Sequence, residues 1–128
     1  MMTATLEHTN YTVADPDATA AWMCELFGWH VRWSGEAKNM GRTVHVGNES
    51  QYLALYRPQG SARKPTEDNY TTVGGLNHIA VTVDDIDAME EAVRKLGFTP
   101  GSHADYEPGR RFYFHDSDGI EYEVVSYA

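Results

Sequence analysis

The chain has 128 residues, 41% hydrophobic and 23% charged, enough apolar material for one globular core without disulfide or metal staples. Its 10 basic against 19 acidic residues give a formal charge of -9 spread along the chain, which argues against nucleic acid as a partner, since that requires a basic face. No apolar run approaches the roughly 18 residues of a membrane span, Met1 to Thr5 lack the basic and apolar regions of a signal peptide, and the lone Cys24 cannot close an internal disulfide, so a cytoplasmic protein with no membrane partner is expected.

Residues 5 to 13 alternate, with Leu6, His8, Asn10 and Thr12 on one face and Thr9, Tyr11 and Val13 on the other, which predicts a strand. Asp15 then stands as an N-cap, with Pro16 at the first helical position and Asp17 in the first turn. The helix is expected to run to Phe27, burying Ala18, Ala21, Trp22, Cys24 and Leu26, and to end at Gly28. Strands are predicted at Trp29 to Trp33, Arg42 to Val46 and Gln51 to Tyr56, with turns at Gly35 to Gly41 and Gly47 to Glu49. Residues 58–73 carry Pro58, Gly60, Ser61, Pro65, Asp68 and Asn69 without periodicity and read as a linker. The order then recurs: strand Leu76 to Val83, helix from an Asp85 cap to Leu96, strand Thr99 to His103 and a loop from Asp105 to Arg110. Strand Arg111 to His115, a turn at Asp116 to Gly119 and strand Ile120 to Tyr127 complete it. The second helix should bury Ile86, Met89, Val93 and Leu96 and pair Glu90 with Arg94 and Glu91 with Lys95 on its wet face.

This recurrence is visible in the letters. At an offset of 70 residues Leu6, His8, Thr12, Val13, Asp15, Asp17, Ala18 and Leu26 return as Leu76, His78, Thr82, Val83, Asp85, Asp87, Ala88 and Leu96. Two copies of one supersecondary unit are implied, rather than a solenoid, which needs three or more. The expected fold is α+β, a single domain of two β-α-β-β-β modules, 1–57 and 74–128, whose mixed sheets curl around a concave site. Strand parity puts Ile79, Val81, Phe112, Phe114, Tyr122 and Val124 under the helix, leaving His78, Arg111, Tyr113, His115, Glu121 and Glu123 on the opposite face. The first module offers His8, Asn10, Thr43, His45, Tyr52, Ala54 and Tyr56 by the same count.

The motif Leu-x-His-x-x-x-x-Val-x-Asp before a helix occurs twice, and the stretch Asp116-Ser117-Asp118-Gly119-Ile120-Glu121-Tyr122-Glu123-Val124 closes the second copy. This pattern resembles the paired modules of the vicinal oxygen chelate superfamily, which includes glyoxalase I, extradiol dioxygenases, fosfomycin-resistance thiol transferases and metal-free bleomycin-binding proteins. The resemblance implies one divalent ion, Fe2+, Mn2+, Ni2+ or Zn2+, held by His8, His78 and Glu123. The place of a fourth ligand in glyoxalase I falls on Ala54, which cannot ligate; Glu49 and Gln51 lie nearby in sequence, but Gln51 has the wrong parity. Two histidines and a carboxylate leave positions open for substrate or dioxygen. Tyr113 falls where the extradiol and fosfomycin enzymes place an active-site tyrosine, and relatives of this family suggest a homodimer.

In chemical terms, such a site would polarise adjacent oxygens of a small molecule. Tyr113, His115 or His45 could move a proton, while Arg111, less so Arg110, could hold an anionic group, and Tyr52, Tyr56 and Asn10 could line the site. Three readings follow: a metal-dependent glyoxalase- or dioxygenase-like enzyme, a metal-free small-molecule binding protein using Trp29, Trp33, Tyr52 and Tyr56 as stacking walls, and a domain whose sites are relics. His30 and His103 carry no motif and read as surface residues.

Overall fold

A computed structural model describes residues 2–106 and 108–128. The chain forms two compact units, one ending at Lys64 and the next beginning at Pro65, so the division falls inside the stretch read as a linker. The first unit comprises β1 (His8–Thr12), α1 (Pro16–Phe27), β2 (His30–Glu36), a short 3-10 turn at Lys38–Met40, β3 (Arg42–Gly47) and β4 (Tyr52–Arg57). The second comprises β5 (Ile79–Thr82), α2 (Ile86–Lys95), β6 (Gly101–Tyr106), β7 (Gly109–His115) and β8 (Glu121–Ser126). Each carries an open four-stranded sheet, ordered β1-β4-β3-β2 and β5-β8-β7-β6. In each, the first strand runs parallel to the last and the other neighbours are antiparallel. This is the α+β architecture of two β-α-β-β-β modules expected from the repeat.

The helix starts follow from matched caps. Asp15 Oδ1 accepts the Ala18 N–H at 3.1 Å and Asp85 Oδ1 accepts the Ala88 N–H at 3.0 Å. Gly28, at φ +71°, ends α1 by donating its N–H to the Cys24 carbonyl. The buried side of α1 is Pro16, Thr19, Ala20, Met23 and Leu26, not the stripe expected from sequence, of which only Leu26 is kept; Cys24 is half-buried. A helix with so few polar positions gives periodicity little to orient it by. In α2, where polar residues are frequent, Ile86 and Val93 are buried as expected, and Arg94 engages both Glu90 and Glu91. Phe112, Phe114, Tyr122 and Val124 are buried to within 1% of complete and form the core beneath α2.

Two stretches depart from expectation. Of the predicted loop at Asp105 to Arg110, Asp105 pairs with Arg110 and Tyr106 with Gly109 as antiparallel strand neighbours, while Glu107 lies outside the described residues. Glycine is required there: a Cβ at Gly109 would stand 2.1 Å from the Ser126 carbonyl oxygen. The second half of the expected linker is also ordered. Asp68 Oδ1 accepts the Tyr70 N–H at 2.8 Å, its carbonyl accepts from the hydroxyls of Thr71 and Thr72, and Gly75 donates to the Thr72 carbonyl. No helix among the described residues is long and apolar enough to cross a membrane.

The turn into β8 is held by one buried carboxyl. Asp116 Oδ1 accepts the N–H groups of Asp118 and Ile120, and Oδ2 accepts the Tyr122 hydroxyl at 3.1 Å. Burial pushes this carboxyl above its ordinary value despite those donors. Asp116→Ala would remove the acceptor shared by two N–H groups and a phenol, and is expected to cost about 2–4 kcal/mol in urea unfolding.

Candidate functional site

On β5 and β8, parallel neighbours in register from Ile79 with Tyr122 to Thr82 with Val125, the residues that do not face α2 gather beside His78. His78 Nε2 lies 3.0 Å from Glu123 Oε1, and His78 Nδ1 lies 2.6 Å from Asn77 Oδ1. The other oxygen of Glu123 accepts from Arg111 Nη1 at 2.9 Å. Arg111 donates from Nη2 to the Gly109 carbonyl, carries its guanidinium over the Tyr106 ring, and has a buried Nε without a hydrogen-bond partner. The Glu123 and Arg111 side chains are only 8% and 13% exposed, so this is a desolvated ion pair whose partners depend on each other. Arg111, expected from sequence to bind an anionic substrate group, is thus committed to Glu123.

Two tyrosines flank the His78 ring. Tyr113 meets it edge-on at 5.7 Å, and burial followed by the charge of Glu123 pushes its hydroxyl above the ordinary value. At neutral pH it is therefore a donor, not a base. Tyr70 stacks alongside His78 at 6.4 Å and donates its hydroxyl to the Glu121 carboxylate. That bond, followed by burial, pushes its hydroxyl up to about 12. Because the folded value is raised above that of an unfolded tyrosine, its contribution to stability is complete below about pH 10 and is lost as the pH rises through about 12. The difference between wild-type and Tyr70→Phe absorbance titrations at alkaline pH is expected to show one phenol ionising near 12. Sequence reasoning missed Tyr70; the turn-forming Asp68 two residues before it was the available signal.

The remaining candidates of this unit are more dispersed. His115 is 60% exposed, with Nε2 3.5 Å from Glu121 Oε2. Arg110 pairs with Asp87 of α2 at 2.9 Å, away from the face that holds Arg111. His103, expected at the surface, is exposed there and lies 2.8 Å from Glu90.

The first unit builds an aromatic cluster around His8. Its Nδ1 lies 2.9 Å from Glu7 Oε1, which also accepts the Tyr52 hydroxyl at 3.1 Å. Those two bonds hold the Glu7 carboxyl below its usual range. Tyr52 stacks on His8 at 4.8 Å and on His45 at 4.7 Å, with the Arg32 guanidinium 4.4 Å from its ring centre. His45 also meets Trp33 at 5.3 Å, and burial, then the neighbouring His8, pushes its imidazole below the ordinary value. Tyr56 turns its hydroxyl to the Lys38 carbonyl, and Trp29 packs on Phe27 at 4.9 Å beside the end of α1. Asn10 is exposed and sits in register with Ala54, which is buried and offers no donor atom. Glu49 is exposed and lies 3.3 Å from His30. Within each unit, among the described residues, no three His, Cys, Asp or Glu side chains come together as a metal centre.

No curated protein matches the chain. Three solved structures of similar fold each share less than a quarter of its residues. A glyoxylase/bleomycin resistance protein/dioxygenase domain from Frankia sp. EAN1pec has a TM-score of 0.78 at 21% identity, covering 98% of this chain and 93% of that one. The fosfomycin resistance protein FosX from Listeria monocytogenes, solved with Mn(II) and sulfate, has a TM-score of 0.70 at 19% identity over 98% and 93%. TnmS3, an antibiotic binding protein from Streptomyces sp. CB03234, has a TM-score of 0.76 at 17% identity over 100% and 99%. The family model that matches spans residues 5–124, nearly the whole of both modules. The chain belongs to the Glyoxalase/Bleomycin resistance protein/Dioxygenase superfamily.

Proposed function

We propose that the chain is a divalent-metal-dependent enzyme of the vicinal oxygen chelate type, acting on a small molecule with adjacent oxygens, with His78, Glu123 and His8 as the metal ligands. The observation that carries this reading is the surroundings of His78. Both ring nitrogens face oxygen acceptors, Asn77 Oδ1 and Glu123 Oε1, yet a neutral imidazole has one N–H. A cation shared between Nε2 and the carboxylate would satisfy both contacts, as would the Asn77 amide turned to offer its N–H to Nδ1. The 3.0 Å between those atoms is an ordinary hydrogen-bond separation, and an imidazole nitrogen beside a carboxylate is a donor pair that could hold a divalent ion. His78 and Glu123 therefore fit a small divalent ion, and His8, equivalent to His78 in the repeat, is the natural third ligand.

At such a donor set a divalent ion supplies polarisation of neighbouring substrate oxygens. The chain's own residues do the rest. Arg111 holds Oε2 of Glu123 and so leaves Oε1 toward His78. Tyr113, kept protonated, can donate a hydrogen bond to a substrate oxygen as negative charge develops on it. His45, kept neutral by burial, is the available base in the first unit. FosX, which binds Mn(II), shares the fold.

A second reading is favoured by the Arg111 contact itself. A guanidinium already balances the Glu123 charge, and Ala54 removes a donor, as in a metal-free ligand-binding protein; TnmS3 shares the fold as well. Thermal shifts separate the two. The metal reading expects Mn(II), Fe(II), Ni(II) or Zn(II) at 100 times its Kd to stabilise the protein by about 2.7 kcal/mol, a rise in Tm of several degrees. No shift with any of the four would leave ligand sequestration as the function.

A further inference from the structure

A bulge in β2 gathers a cation and an indole on one side of the first unit's sheet. Val31 is in register with Val46 and Trp33 with His45, so Arg32 is an extra residue in the ladder. Without it Trp33 would lie on the side of the buried Val46; with it Arg32 and Trp33 both turn to the side of His45 and Tyr52. The Trp33 ring meets His45 at 5.3 Å and an interplanar angle of 56°, which makes an open corner rather than a stack, and Trp33 is 52% exposed. Its six-membered ring lies over Gly35, where a Cβ would stand 2.9 Å from Cζ2. Glycine weakens a strand interior, and here it clears the space that the indole occupies. Burial, then the charges of His8 and Arg32, hold His45 below the ordinary value, so the second wall of the corner is an uncharged ring at neutral pH.

The Arg32 guanidinium rests 4.4 Å from the centre of the Tyr52 ring, and its Nη1 donates to the Asn48 carbonyl at 3.1 Å, which fixes the direction of the fork. Among the described residues, the ion pairs of the first unit join Glu7 with His8, Glu49 with His30 and Asp17 with Arg42, and leave Arg32 out. Glu7 also takes the Tyr52 hydroxyl. The uncommitted charge beside the corner is therefore positive, in a chain whose net charge is -9. We infer that Arg32, Trp33 and His45 form a binding site for a planar aromatic carboxylate, its ring lying on the indole over Gly35 and its carboxylate on the Arg32 guanidinium. The site lies within the first unit and calls on no ion, so it goes beyond the metal reading and stands or falls apart from it.

The test is calorimetry on the full chain in EDTA at about pH 7.5, where a carboxylic acid is ionised. Three probes are compared: naphthoate, its neutral amide naphthamide, and cyclohexanecarboxylate, which keeps the charge without the aromatic ring. Naphthoate should bind saturably, with naphthamide about 10-fold weaker and cyclohexanecarboxylate about 3- to 10-fold weaker. Arg32→Met, which keeps the apolar stem, should bring naphthoate down to the level of naphthamide and leave naphthamide itself unchanged. Trp33→Leu should weaken both aromatic probes, and Gly35→Ala, whose added methyl displaces the indole, should weaken naphthoate about 3- to 10-fold. Arg63→Met, the same loss of charge at an exposed place in the linker, should leave naphthoate affinity as it was. Circular dichroism and Tm verify that each variant folds. Naphthoate that fails to saturate at millimolar concentration, acid and amide bound alike, or affinities unmoved by Arg32→Met and Trp33→Leu would overturn the assignment. Naphthoate bound as stated by a protein that takes up no Mn(II), Fe(II), Ni(II) or Zn(II) would uphold this site and overturn the metal reading. An ion taken up by a protein that binds no naphthoate in EDTA would do the reverse.

Discussion

Phe114→Ala is expected to destabilise the protein by about 3–5 kcal/mol, measured as a shift in the urea midpoint at unchanged slope. Phe114 lies on β7, is 1% exposed, and is stacked between Phe98 at 5.5 Å and Tyr122 at 5.4 Å. Its removal takes out the middle ring of three at the centre of a small unit, where a helix and one sheet leave little material to collapse into the gap. A loss of this size is a large part of the about 5–15 kcal/mol that holds an ordinary domain. A cost below about 1 kcal/mol would mean that the core under α2 is not packed as described.

Glu123→Gln carries the largest effect on the site, an expected loss of more than about 100-fold in Mn(II) affinity by calorimetry, given that even residues behind the ligands contribute 10- to 100-fold. The amide keeps the shape of the side chain but has one oxygen to offer where the carboxylate serves both His78 and Arg111. It also leaves Arg111 facing a neutral group in a desolvated place, so Tm should fall, and affinity is to be measured well below the new Tm. Glu91→Gln, the same change of charge on the wet face of α2, should leave Mn(II) affinity as it was. Equal losses from both substitutions would assign the effect to overall charge and not to ligation.

Much of this was legible in the chain itself. The 70-residue repeat exposed the module order, the Asp15 and Asp85 caps marked both helix starts, and alternation on β7 and β8 separated Phe112, Phe114, Tyr122 and Val124 from Arg111, Tyr113 and Glu123. What was not legible depended on register and on residues distant in sequence. The engagement of Arg111 by Glu123 is a diagonal contact, since Tyr113 is the residue in register with Glu123 and Arg111 is paired with Val125. Nothing in the spacing of a single strand reveals which neighbour a long side chain will reach. The buried face of α1 escaped because Ala, Met, Trp and Leu occur around most of that helix. Tyr70 escaped because its polar surroundings read as a linker, whereas the hydrogen bonds around Asp68 give that stretch a shape and bring the phenol to Glu121.

The most direct test of the central claim is the metal content of the protein purified without added metal or chelator, measured by mass spectrometry of the elements beside His8→Ala and His78→Ala. Close to one divalent ion per chain is expected in the wild type, with its loss in both variants, since in the proposed site each histidine would be one of three protein ligands. A wild type free of bound metal that also takes up none on dialysis, or an ion retained undiminished by both variants, would contradict it.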